Sequence, residues 1–89
     1  MLRPSYTRRF EKDLARMRRR GKDADKIKAV MHALVQEQPL PAPHRDHKLS
    51  GAFASRRECH IEPDWLLIYK LAPGEIIFER TGTHADLFE

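Results

Sequence analysis

The chain has 89 residues, of which 40% are hydrophobic and 34% charged, with a net charge of +4. That length fits one domain with a compact core, since so short a chain buries only roughly 60–65% of its unfolded surface. No run approaches the ~20 apolar residues of a membrane span. Met1-Leu2-Arg3-Pro4 has no signal-peptide character, and the single Cys59 excludes an internal disulfide or a Cys-based zinc cage, so a reduced, cytoplasmic setting is expected.

Charge is unevenly distributed. Residues 1–28 carry eleven Lys/Arg against four Asp/Glu, whereas residues 29–89 carry six against nine. A solvated helix face would account for such a basic third, but the asymmetry favours a polyanionic partner, either nucleic acid or an acidic protein.

Met1 to Tyr6 has the length of a first strand. Thr7 is placed to cap a helix with Glu11 in its first turn. In that helix Phe10, Leu14 and Met17 recur at i, i+4 and i+7, a narrow apolar stripe on a charged cylinder. Arg16, Arg18, Arg19 and Arg20 should point outward, and Gly21 ends the helix. Asp23 is a good cap for a second helix with Asp25 near its start. Ile27, Val30, Met31, Leu34 and Val35 give it a wider stripe and deeper burial, until Pro39, Pro41 and Pro43 prevent continuation.

Residues 39–52 read as a long loop containing His44 and His47. From Ser55 to Glu62, one parity holds Arg57, Cys59 and Ile61 while the other holds Arg56, Glu58, His60 and Glu62: a strand with a polar face. Glu62-Pro63-Asp64-Trp65 suits a type I turn. Trp65 to Leu71 is apolar on both parities, as in a central strand, and Pro73-Gly74 signals a hairpin. Ile76 to Thr83 is the last strand, followed by a short tail from Ala85 to Glu89. The expected class is α+β: a small antiparallel sheet with two N-terminal helices on one face, in the order β-α-α-β-β-β. Residues 1–89 form one domain, with the first strand and basic helical hairpin in 1–38 and the loop, three strands and tail in 39–89.

Three consecutive antiparallel strands bring the end of the first, the start of the second and the end of the third together. His60, Asp64, Trp65, Arg80 and His84 then converge, with His47 within reach from the loop. Singly, each has an ordinary explanation: a strand histidine, a turn carboxylate, a core tryptophan, a salt-bridged arginine. Together they match the needs of metal-free RNA cleavage. The 2′-hydroxyl needs a base, the departing 5′-oxygen an acid, and the phosphate a cation. Trp65 or Phe88 supplies an aromatic platform for a base. Metal hydrolysis with His47, His60, Asp64 and His84 as ligands is the alternative, but His60-x-x-x-Asp64 matches no strong metal signature and Arg80 would repel a divalent ion.

Asp46-His47-Lys48-Leu49-Ser50-Gly51, His60-Ile61-Glu62-Pro63-Asp64-Trp65-Leu66-Leu67-Ile68-Tyr69-Lys70 and Phe78-Glu79-Arg80-Thr81-Gly82-Thr83-His84-Ala85-Asp86-Leu87-Phe88 resemble the YafQ-like mRNA interferase toxins of the RelE/ParE superfamily. The likeness is dense over residues 44–88 and only compositional over the helices. It implies a RelE-like fold and the toxin of a type II toxin–antitoxin system. Such a toxin is a ribosome-dependent, metal-independent endoribonuclease without a cofactor, silenced by a cognate antitoxin in a hetero-oligomer. By the same resemblance the functional positions are His47, His60, Asp64, Arg80, His84 and Phe88. His84 and Asp64 are expected at the centre of proton transfer, with His60 and His47 as further acid–base candidates. Arg80 would stabilise the phosphorane, while Phe88 and Trp65 position a base. Arg16, Arg18, Arg19, Arg20 and Lys22 are expected on ribosomal RNA phosphates. A non-catalytic basic binding module, or a gyrase-directed toxin of the same superfamily, is the competing expectation.

Overall fold

Two side-chain caps set the helical part of the chain where the sequence marks them. Thr7 Oγ1 accepts from Phe10 N at 2.9 Å and opens α1 (Arg8–Arg19); an Asp23 carboxylate oxygen accepts from Asp25 N at 2.9 Å and opens α2 (Ala24–Val35). Between them Gly21 adopts φ +88°, a conformation only glycine takes at little cost. These features belong to a computed structural model that describes residues 1–44, 46–49 and 55–88, without the side chain of Ala42.

The described residues form five strands, one more than expected: β1 (Arg3–Tyr6), β2 (His47–Lys48), β3 (Arg57–Glu62), β4 (Trp65–Ala72) and β5 (Glu75–Gly82), in the spatial order β1-β5-β4-β3-β2. The β2–β3, β3–β4 and β4–β5 pairings are antiparallel, but β1 runs parallel to β5, so the sheet is mixed. The apolar alternation that finds a strand does not encode its direction. With β2 on the far side of β3, the outer edge of β5 is where β1 pairs. Gly74, at φ +74° behind Pro73, closes the β4–β5 hairpin.

Two segments carry more structure than a loop and a tail. A single 3₁₀ turn at Ala42–His44 and the two-residue β2 interrupt the long connection, and His84–Phe88 forms a short helix, α3. Arg45, residues 50–52 of that expected loop, and Glu89 of the tail lie outside the described residues. The strand expected from Ser55 begins at Arg57; Ser55 itself sits in a turn at φ +75°.

β4 is central, and its alternate residues serve opposite faces. Trp65, Leu67 and Tyr69 pack against Phe10 and Met17 of α1 and Ile27, Val30 and Leu34 of α2. Leu66 and Ile68 face away from the helices and meet Leu87 of α3, with Leu49 alongside. A bulge in β5 sets what lies near them. Ile68 pairs with Arg80 but Tyr69 with Phe78, leaving Glu79 as the extra residue. Phe78 and Thr81 therefore both point to the helices, and Arg80 starts on the open face.

Candidate active site on the open sheet face

The strand register assembles the polar set. His47, Glu58, Ile68 and Arg80 are successive cross-strand partners in one row; His60, Leu66 and Gly82 form the next row, and His84 starts α3 two residues later. Side chains in such rows share a face. The rings form a line: His47 and His60 have centroids 6.5 Å apart, His60 and His84 5.9 Å, and His84 and Phe88 6.4 Å. Leu66, Ile68 and Leu87 form an apolar floor nearby.

The Pro63-Asp64 turn delivers a carboxylate to the far end of this line. Asp64 Oδ1 accepts from His84 Nδ1 at 2.6 Å and from His84 N at 2.9 Å. The backbone N–H first, and then the ring, hold the Asp64 carboxyl below its usual range. Because the carboxylate only accepts, His84 carries a proton on Nδ1 and presents Nε2 for proton exchange.

At the near end stands Glu58, which sequence reasoning placed on the polar parity without giving it a role. Its side chain is only 7% exposed, with one oxygen 3.3 Å from His47 Nε2 and the other 3.7 Å from His60 Nε2. The i, i+2 spacing of Glu58 and His60 was the available signal. Further bonds anchor the chain beside both histidines. The His60 carbonyl accepts from His44 Nδ1 at 2.6 Å, and Asp46, just before His47, accepts from the Tyr69 hydroxyl at 2.6 Å. Burial, then this bond, push the Tyr69 hydroxyl above its ordinary range.

One expectation needs correction, and two others gain a structural setting. Trp65 does not stack on a substrate: it is fully buried among the helices, its Nε1 donating to Thr81 Oγ1 at 2.9 Å, because the parity that puts Leu66 on the open face puts Trp65 in the core. Phe88, 46% exposed, is the aromatic ring accessible beside His84. Arg80 starts on the correct face, but its guanidinium is drawn to Asp13 of α1, with Nε 2.6 Å from Asp13 Oδ2.

The basic surface is also redistributed. Of the expected phosphate contacts, Arg16 pairs with Asp13 at 3.3 Å, Arg20 with Asp86 at 2.7 Å and Lys22 with Glu62 at 2.8 Å. Arg18 is exposed but does not line the groove of about 630 Å³ beside α1, which Arg8, Arg9, Lys12, Arg16, Arg19 and Arg80 line together with Asp13 and Asp86. Arg8, Lys12, Arg16 and Arg19 follow helical spacing down one side of α1. Counting charge along the chain missed this stripe.

One ligand-capable atom each from Glu58, His60 and His84 lies within 4.8 Å of the others, a set whose chemistry suits a transition metal. It shares His60 and His84 with the set considered from sequence, but Glu58 takes the part given there to His47 and Asp64. Cys59, on the opposite parity, is no candidate: burial pushes its thiol up to about 12.

Known proteins match this arrangement over nearly the whole chain. The family model described as the bacterial toxin of a type II toxin–antitoxin system, YafQ, matches residues 2–89. The mRNA interferase toxin YafQ of Escherichia coli K12 is 46% identical over 84 residues, covering 93% of this chain and 91% of that protein. The crystal structure of YafQ from E. coli BL21(DE3) superposes with a TM-score of 0.94 at 42% identity, covering both chains completely. That of the E. coli DinJ–YafQ toxin–antitoxin complex gives 0.91 at 44%, again with complete coverage. A metal-bound toxin from Helicobacter pylori gives 0.93 at 36% identity, covering 99% of this chain and 100% of that one. The chain belongs to the YafQ family of bacterial toxins from type II toxin–antitoxin systems.

Proposed function

We propose that this toxin is an mRNA interferase: an endoribonuclease that cleaves mRNA on the ribosome by using the RNA's own 2′-hydroxyl as nucleophile. The observation that carries the proposal is the line of three imidazoles on the open face, with Glu58 against two of them and Asp64 against the third. A neutral imidazole takes the 2′-hydroxyl proton as that oxygen attacks the adjacent phosphorus. The P–O5′ bond breaks to leave a 2′,3′-cyclic phosphate, and an imidazolium returns a proton to the 5′-oxygen.

His84 and His60 form the pair around the scissile phosphate, with His47 as the third proton-exchanging group. Asp64 fixes the His84 tautomer, and Glu58 places a carboxylate against both His47 and His60. Phe88, ring to ring with His84, holds a base by stacking. Arg80 supplies positive charge at the phosphate. The α1 groove takes the RNA backbone, with Arg8, Arg9, Lys12 and Arg19 joining Arg16 as phosphate contacts. The E. coli relative's complex with DinJ supports a cognate antitoxin as the protein partner. No helix among the described residues is long and apolar enough to cross a membrane, in keeping with a toxin that meets ribosomes in the cytoplasm.

Primer extension on a translated mRNA, with and without chelator, tests the reaction. Discrete cuts that persist in chelator are expected. Their loss would instead make the Glu58–His60–His84 cluster a working metal site, the reading that the metal-bound H. pylori structure keeps in view.

A further inference from the structure

Asp13 plays no part in the acid–base chemistry, yet it is a buried charged residue, 5% exposed. It lies between Phe10 and Met17 on the buried side of α1, where a carboxylate is costly unless well partnered. Four N–H groups partner it. Arg80 Nε donates at 2.6 Å and Arg80 Nη2 at 3.4 Å, Thr81 N at 3.2 Å and Arg16 Nη2 at 3.3 Å. A helix carboxylate thus grips two consecutive residues of β5 beyond Tyr6, the end of β1's pairing with that strand.

The direction of the grip matters. A guanidinium has five N–H donors in a planar fork. Asp13 takes the side-on edge, Nε–H and one Nη2–H. Among the described residues the end-on edge, between Nη1 and Nη2, is left over, and it matches two non-bridging oxygens of a phosphate. Arg80 and Asp13 both line the α1 groove, with Arg16, Arg19 and Lys12 around them.

We infer that Asp13 is a positioning residue for RNA cleavage: it holds Arg80 side-on so that the end-on edge meets a phosphodiester of RNA lying along the α1 groove. The inference rests on the endoribonuclease reading above. It has an unusual consequence. Asp13 adds negative charge to a surface that binds a polyanion, so its removal should help binding while harming the reaction.

Asp13→Asn keeps the size and an oxygen that accepts from Thr81 N. On ribosomes translating a defined mRNA, the single-turnover rate should fall about 10- to 100-fold, the scale of a misplaced catalytic group. The half-saturating toxin concentration should stay the same or decrease. Arg80→Ala should lower the rate at least as much, and the double variant Asp13→Asn/Arg80→Ala should be no slower than Arg80→Ala alone. A double variant slower by the full product of the single effects, or Asp13→Asn with weaker ribosome association and an unchanged rate, overturns the inference. Wild-type toxin that makes no cuts overturns the functional reading, and this inference with it. If Asp13→Asn does not fold, the wild-type chain still decides. Its Arg80 Nε–H resonance, identified by its loss in Arg80→Lys, should be protected from solvent exchange at neutral pH, and an unprotected signal rejects the clamp.

Discussion

The two faces of β4 are made from alternate residues of one strand and have opposite characters. Toward the helices, Trp65, Leu67 and Tyr69 are closed in by α1 and α2, and the polar atoms there are satisfied internally: the Trp65 indole donates to Thr81 Oγ1, which donates in turn to Leu66 O at 2.6 Å. Away from the helices, Leu66 and Ile68 meet, among the described residues, the short α3 and Leu49, flanked by Glu58 and His60 on β3 and Arg80 on β5. The covered face supplies the stability that lets the other remain open and polar. A buried carboxylate beside two imidazoles is tolerable there because its neighbours can carry the opposite charge.

Variants on the two faces should therefore fail in different ways. Trp65→Ala leaves a large cavity in the covered face and should cost about 3–5 kcal/mol in denaturant unfolding, taking toxicity with it through loss of fold. Were Trp65 a substrate platform, the same change would instead spare stability and damage cleavage alone. His84→Ala, on the open face at 53% side-chain exposure, should do what Trp65→Ala cannot. Cleavage should drop by about 10²- to 10⁴-fold while the unfolding midpoint and antitoxin binding are retained. Cleavage that survives this change would remove His84 from the mechanism.

The groove beside α1 sharpens the contrast further, because its charge is at stake rather than its packing. Reversing Arg8 and Lys12 to Glu should weaken ribosome association more than reversing Arg18, which is outside the groove. The slope of log affinity against log salt should fall by about 0.7 for each single-strand phosphate that is no longer neutralised. Equal effects from both sets would mean that general basicity, not the groove, binds RNA.

The smallest expected effect is on acid stability. Three carboxylates tie separate elements together: Asp64 to His84, Asp86 to Arg20 and then Thr83, and Glu62 to Lys22 and then Lys26. Each is held below the usual carboxylate range. Their folded values are depressed, so their contribution is present above the unfolded value of about 4 and is lost as pH falls through the folded values. Thermal midpoints should decline in acid below about pH 4, and less so in Asp86→Asn, whose pairing no longer titrates. A midpoint that rises on acidification would contradict the assigned pairings.

Much of this was legible in the sequence because the signals are local. Thr7 and Asp23 cap helices through their own backbone neighbours, Pro73-Gly74 specifies its hairpin, and the parity of residues 56–62 separates Cys59 and Ile61 from Glu58 and His60. The meeting of His60, Asp64 and His84 follows from antiparallel order alone. Glu58 needed a pairing partner before its role was visible, since only the β2–β3 register brings His47 opposite it.

What tertiary structure decided lies where distant residues compete for one side chain. Arg80 reads as a transition-state cation in sequence, but the fold brings Asp13, 67 positions earlier, to its side. Trp65 reads equally well as platform or core until the helices occupy one face of β4. The direction of β1 was expected to be antiparallel and is parallel, because alternation records which face a residue takes and not which way the strand runs. Local backbone chemistry fixed the elements and the polar row. Packing of α1 against β5 determined which of those polar groups remain available for RNA.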